Sequence, residues 1–253
     1  MGARDRADGR ARVHGFDVIR GAAVVSMVAF HLCYDLAYIR GVPLPWFRGL
    51  AQDAWRASIS WTFLLVAGCM CAYSHNNTRR SLRYLALALA IFVVTTLVRV
   101  DVPISFGIIY CMGASTLAYA ALDRMRALPR SPAALVAIAL ALTAAFVACL
   151  GVPCGTLGMG TASVVIPRAP YDTNLLSWLG FPGPRFSSGD YYPLIPYSLL
   201  YLAGSMLGRL MKRLGAPWWL RGLRCRPLEF VGRHALAVYV VHQPVLLLVA
   251  MLA

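Results

Sequence analysis

With 253 residues, 59% of them apolar, 13% charged and a mean hydropathy of +0.64, the chain is far from a soluble domain, where about a quarter of residues carry charge. Its long apolar runs are continuous rather than alternating with period two, which disfavours a transmembrane β-barrel and predicts an all-α integral membrane protein. The net charge of +14 does not predict a nucleic-acid binder, because the basic residues gather at the ends of the apolar runs.

Residues 1–13 read as a basic cytoplasmic tail, and 14–253 as a single transmembrane domain with no linker or internal repeat. About seven spans are predicted: Val18–Ile39, Ala57–Ser74, Leu82–Val98, Ile104–Leu122, Pro132–Leu150, Pro193–Leu210 and Ala235–Leu252. Each is near the ~20 residues that a bilayer core requires. The first is too long for a leader's apolar region and no small-x-small cleavage site follows it, so it is expected to stay in the chain. With the N-terminus inside, segments 1–20, 75–83, 123–131 and 209–233 hold 18 of the 24 Lys and Arg. That bias predicts a cytoplasmic N-terminus and an external C-terminus. The predicted compartment is a bacterial inner membrane, crossed several times. Six of the seven cysteines lie in or beside spans, where a thiol packs as a small apolar group. Cys149 and Cys154 fall at the predicted outer face, close enough in sequence to pair but with no spacing that requires it.

The first span carries ionisable groups at depth, which are expensive there and mark function by default. His31 lies eleven residues after Arg20, about 16 Å along a helix and nearly at the same azimuth. Asp35 follows His31 at i, i+4. One stripe therefore presents guanidinium, imidazole and carboxylate in order from inside to outside. Each has a plainer alternative: Arg20 snorkelling to the inner headgroups, His31 packed on a backbone carbonyl, Asp35 wetted at the outer interface. All three on one face favour a site.

Other polar groups fall at the outer half. Asp190-Tyr191-Tyr192-Pro193 precedes the sixth span, where an aromatic belt and helix start explain all but the choice of Asp. Ser105-Phe106-Gly107 opens the fourth. His242-Gln243-Pro244 interrupts the last, and the proline frees a backbone carbonyl that needs another donor. His14, His75 and His234 fall at the predicted inner face among solvent and headgroups. The sequence holds no HExxH, CxxC or Walker-type loop, and no metal site is expected.

Phe16-Asp17-Val18-Ile19-Arg20-Gly21, then Met27 to His31, then Asp35-Leu36, resemble the first-span motif of the heparan-alpha-glucosaminide N-acetyltransferase catalytic family in its small bacterial form. The arginine–histidine spacing also resembles the wider transmembrane acyltransferase superfamily that acylates sugars. The resemblance continues through Phe63 to Gly68, Thr95-Thr96, Ile104 to Ile109, Asp190 to Pro196, Gly232 to Tyr239 and His242-Gln243-Pro244. It departs at Tyr110, where the family usually has histidine, and in lacking the extra spans and luminal extension of the animal lysosomal enzyme. Heparan sulfate is accordingly not the expected acceptor.

The resemblance implies an acetyltransferase of a sugar or glycan hydroxyl or amine. Acetyl-CoA or another acyl-CoA would be the co-substrate, with no tightly bound cofactor. It would place Arg20 on the donor phosphates, His31 as general base on the acceptor, and Asp35 as the group orienting His31. Asp190, His242 and Gln243 would contact the acceptor. The partners implied are the lipid bilayer, acyl-CoA and the glycan. The alternative is a proton- or solute-coupled transporter with a His31/Asp35 relay, although neither inverted repeats nor paired broken helices are present. A non-catalytic scaffold for an envelope-glycan pathway is the third reading.

Overall fold

A computed structural model describes residues 13–99 and 102–252, with side chains described to residue 249. The predicted tail, residues 1–13, lies outside the described residues save for Val13. The helices are α1 His14–Tyr34, α2 Gly49–Cys69, α3 Asn77–Val98, α4 Ile108–Arg124, α5 Pro132–Ala148, α6 Leu194–Leu214, α7 Trp218–Gly222, α8 Arg226–Arg233 and α9 Ala235–Leu252. The chain divides into two compact units, one of residues up to Phe63 and from Ala216 onward, the other Leu64–Gly215.

Five of these helical runs are long and apolar enough to cross a membrane, and a sixth span results if α8 and α9 are taken as one bent pair. Seven spans were expected from the sequence. The difference lies in α4, which has 17 residues, about 25 Å at 1.5 Å per residue. Residues 104–107 do not join it, because Phe106 has a left-handed backbone (φ 55°) and its carbonyl accepts from Tyr192 N–H. The membrane itself is legible on α3. Its most apolar stretch has a mean hydropathy of 2.0 yet is only 6% buried within the protein, a surface that lipid rather than water would cover.

In the first unit α1 packs against α7, α8 and α9. The approach to α8 is close because a Cβ at Gly21 would collide with the Leu228 carbonyl, and one at Gly232 with that of Asp17. After Tyr34 the helix widens into a π-helical turn, Asp35–Ile39, in which Arg40 N–H bonds the Asp35 carbonyl five residues back. The following loop returns Phe47, 1% exposed, into a cluster with Met27, Phe30 and Ile59. Trp55 of α2 joins it, edge-on to Phe30 and Phe47, with its indole N–H on Ser26 Oγ at 2.8 Å. Pro227 sits in the first turn of α8, where its missing N–H costs nothing. At His234 the chain turns by 84° into α9.

The second unit holds the end of α2 with α3, α4, α5 and α6. The pairs α3–α4, α5–α6 and α4–α6 pack together, and α3 is joined to α4 by Ser81 Oγ donating to the Gly113 carbonyl at 2.8 Å. Tyr201 is fully buried, its hydroxyl within 2.6 Å of Thr116 Oγ1 and 3.3 Å of Cys71 Sγ. Asn76 caps α3 and Ser131 caps α5, each accepting a backbone N–H three residues on. Between α5 and α6 runs a loop of short turns with one small antiparallel pair, β1 Thr156–Leu157 and β2 Val164–Val165. Cys149 and Cys154 are both free thiols.

Candidate functional site

The first unit gathers four of the six expected site residues in one place. His31, in the last turn of α1, lies beside His242 of α9, with ring centroids 4.9 Å apart and planes tilted by 58°. Phe30 meets the His31 ring edge-on and Tyr239 flanks His242. Asp35 opens the π-helical turn and is fully buried. Its carboxylate accepts from Gln243 Nε2, at 3.0 Å to Oδ1 and 3.3 Å to Oδ2. The sequence suggested that Asp35 orients His31. In the structure the neighbour of His31 is the second imidazole, and Asp35 instead fixes the amide of Gln243.

These bonds settle which atoms can donate and which can accept. A backbone carbonyl only accepts, so the 2.6 Å bond between His242 Nδ1 and the Tyr239 carbonyl places the proton on Nδ1. In the neutral ring Nε2 then carries the lone pair. Gln243 turns its NH₂ toward both oxygens of Asp35 and its Oε1 the other way. His242 Nε2 and Gln243 Oε1 are both buried, and neither has a hydrogen-bond partner among the described residues. Orphaned buried polar atoms are uncommon, and two acceptors on adjacent residues suit a ligand group that donates. Among the described residues no three His, Cys, Asp or Glu side chains converge as a metal-ion site.

Arg20 lies on the same helix as His31, 26% exposed at its side chain, with a terminal nitrogen on Asp17 Oδ1 at 2.9 Å. Asp17 is itself buried, in the first turn of α1 where a carboxylate suits the helix dipole. Glu229 of α8, also buried, bonds His14 Nδ1 at 2.8 Å.

Asp190 belongs to the second unit and has a structural task there. Its Oδ2 accepts from Ile108 N–H at 3.1 Å, so it caps α4 from 82 residues away. Ser188 Oγ ties the same two segments together, accepting from Ser105 N–H and sharing its one proton between the Ser105 and Asp190 carbonyls. Sequence reading had set Asp190 at the start of α6, because helix-end patterns are read from neighbouring residues and not from distant ones.

Two features were missed at the sequence level. Nothing in the sequence pairs Gln243 with Asp35, and the π-helical turn has no residue signature here. The His-Gln-Pro triplet inside an apolar helix was the available signal for the acceptor pair.

A family model described as heparan-alpha-glucosaminide N-acetyltransferase, catalytic, matches residues 12–244. No curated protein and no solved structure matches the chain. The match covers every described helix except the end of α9, including the six expected site residues, and acyltransferase activity is what the family implies. With several helices apolar enough to cross a membrane, this multi-pass membrane protein belongs to the heparan-alpha-glucosaminide N-acetyltransferase catalytic family.

Proposed function

We propose that the protein transfers an acyl group, acetyl in the simplest case, from a cytoplasmic acyl-CoA to a hydroxyl or amine of an extracytoplasmic sugar in a bacterial inner membrane. The observation that carries this reading is the pair of buried acceptors, His242 Nε2 and Gln243 Oε1, beside His31. A sugar hydroxyl or amine offers the donor hydrogen that such a pair would take.

In the reaction the acceptor's oxygen or nitrogen attacks the thioester carbonyl, and its proton passes to an imidazole acting as general base. The base expected at His31 is better assigned to His242, whose Nε2 lone pair is fixed by the bond from Nδ1 to Tyr239. Collapse of the tetrahedral adduct breaks the carbon–sulfur bond. His242, now an imidazolium, returns that proton to the leaving thiolate, with the adjacent His31 ring as the relay that takes the proton from His242 and passes it on. Asp35 is a positioning residue that acts through Gln243. Arg20, with a guanidinium edge already on Asp17, would face the donor from the cytoplasmic side.

The test is acceptor-dependent release of free thiol from acetyl-CoA by the purified protein, over a panel of hexoses and hexosamines. Turnover lost in His242→Ala but retained in a remote surface variant supports the reading. Acetyl-CoA that neither binds nor turns over, together with proton-coupled solute uptake into vesicles, would replace it with the transporter.

A further inference from the structure

The second unit contains a cavity of about 390 Å³, within the size range of ligand pockets. The turn after α2, the start of α3, the α4–α5 connection with the flanking Tyr119 and Leu135, and the last turns of α6 line it. Its walls carry four cations, Arg130, Arg209, Lys212 and Arg213, against one carboxylate, Asp123.

Lys212 and Arg213 occupy the last turn of α6, where cations complement the helix dipole. Both residues are exposed, and their head groups are also engaged: Lys212 Nζ donates to the Ala72 carbonyl at 2.5 Å, and Arg213 donates to the Arg130 carbonyl. Arg209 reaches Tyr119 Oη at 3.2 Å and Asp123 Oδ1 at 2.9 Å. Three successive basic side chains of α6 are thus anchored to three other segments around one concavity. Each anchor uses only part of the donor capacity of an ammonium or guanidinium. The guanidinium of Arg130 has no partner among the described residues. Asn77 also lines the cavity; its Nδ2 is on the Cys71 carbonyl at 2.9 Å, while its Oδ1 is buried with no partner among the described residues.

We propose that this cavity is a phosphate-binding site, whose ligand brings a phosphate for the cations and a hydroxyl or amine donor for Asn77. Guanidinium forks match phosphate oxygens in pairs, and ammonium supplies a point charge. The charged lining residues and Asn77 come from segments 75–83, 123–131 and 209–233, which the charge bias assigns to the cytoplasmic side. Two sources meet the chemistry there. One is the phosphorylated nucleotide end of coenzyme A, an identification that rests on the acyl-transfer reading; the other is a hydroxylated anionic lipid headgroup.

The experiment follows the thermal melting of the purified full chain in neutral detergent, with coenzyme A, with 3′-dephospho-coenzyme A, and with phosphatidylglycerol against phosphatidylcholine. Arg130→Gln is the first variant, since that side chain holds nothing else in place, and Arg130→Gln/Arg213→Gln is the second. Saturating ligand should raise the wild-type melting temperature, and the variants should bind at least tenfold more weakly. A shift by coenzyme A that shrinks with its dephospho form assigns the site to the donor. A shift by phosphatidylglycerol alone assigns it to a headgroup. Binding of both probes that is equal in wild type and Arg130→Gln, or absent from wild type, overturns the proposal. The two readings fail separately. Acceptor-dependent thiol release retained, with the affinities for coenzyme A and for phosphatidylglycerol both unchanged in Arg130→Gln, would end the cavity proposal and keep acyl transfer. Phosphate-probe binding lost in Arg130→Gln, with no acyl transfer to any acceptor, would do the reverse.

Discussion

Gln243 gives its side-chain amide to both oxygens of Asp35, a bond that joins α9 to the end of α1 across 208 positions of sequence. Replacing Gln243 by Glu would set two carboxyl groups against each other where Asp35 is fully buried. Gln243→Glu should therefore melt lower than Gln243→Ala, each losing on the order of 1–3 kcal/mol. Melting curves in one detergent decide it. A Gln243→Glu protein as stable as wild type would mean that the amide–carboxylate bond does not hold the two helices.

His242→Ala should lower the turnover number by about 10²–10⁴-fold, the usual contribution of a positioned general base. Donor binding, read as the melting shift that acetyl-CoA induces, should survive. His31→Ala should also lower turnover, and the double variant should fall by less than the product of the two, because groups that act together are not additive. Independent, multiplying effects would separate the two imidazoles.

Asp190 was expected to contact the acceptor, whereas its carboxylate caps α4. Asp190→Ala should cost roughly 0.5–2 kcal/mol of stability, and Asp190→Asn should recover most of it, because Asn still accepts from Ile108 N–H. The KM for acceptor, measured on folded protein below its melting transition, should be the same in all three. A KM raised tenfold in Asp190→Asn at unchanged stability would return Asp190 to the acceptor.

Gly204 and Gly208 of α6 face the carbonyls of Leu65 and Cys69 so closely that no Cβ fits at either. Gly204→Val should force α6 away from the end of α2 and destabilise by about 1–3 kcal/mol or more, the cost of overpacking. Loss of the monodisperse peak in detergent chromatography is the expected readout. Normal elution and melting would mean that the helices separate without cost.

Cys154 is an exposed free thiol in the long loop after α5, while Cys69 and Cys111 are buried. With the orientation set by the charge bias, a membrane-impermeant maleimide should label Cys154 from outside intact spheroplasts. Labelling only after lysis would invert the topology.

The helices were legible because continuous apolar runs bounded by Asn, Ser, Pro and Gly leave few alternatives in lipid. Pro132–Leu150 was found within two residues of α5 because Ser131 and Pro132 announce its start. The start of α2 was read eight residues late, since Arg48, Asp53 and Arg56 end the apolar run while the backbone is already helical from Gly49. His31, Asp35, His242 and Gln243 stood out as polar groups inside apolar helices, and cost alone singles out such groups. Their pairing was not legible. It depends on how α1 and α9 lie against each other, and no local pattern encodes that. Asp190 shows the converse: expected at the acceptor, it caps a helix that starts 82 positions away.

The π-helical turn at Asp35–Ile39 carries one more residue than an α-helical turn would. It acts as a spacer that changes helical phase without breaking the helix. Asp35 can point at Gln243 while Tyr38, three residues on, meets the Phe47 ring and donates its hydroxyl to Gln52 Oε1 at 3.0 Å. Chain length therefore matters here as much as residue identity. A single deletion within 36–39 would leave all six expected site residues in the sequence, yet rotate the Phe47–Trp55 cluster out of step with the two imidazoles.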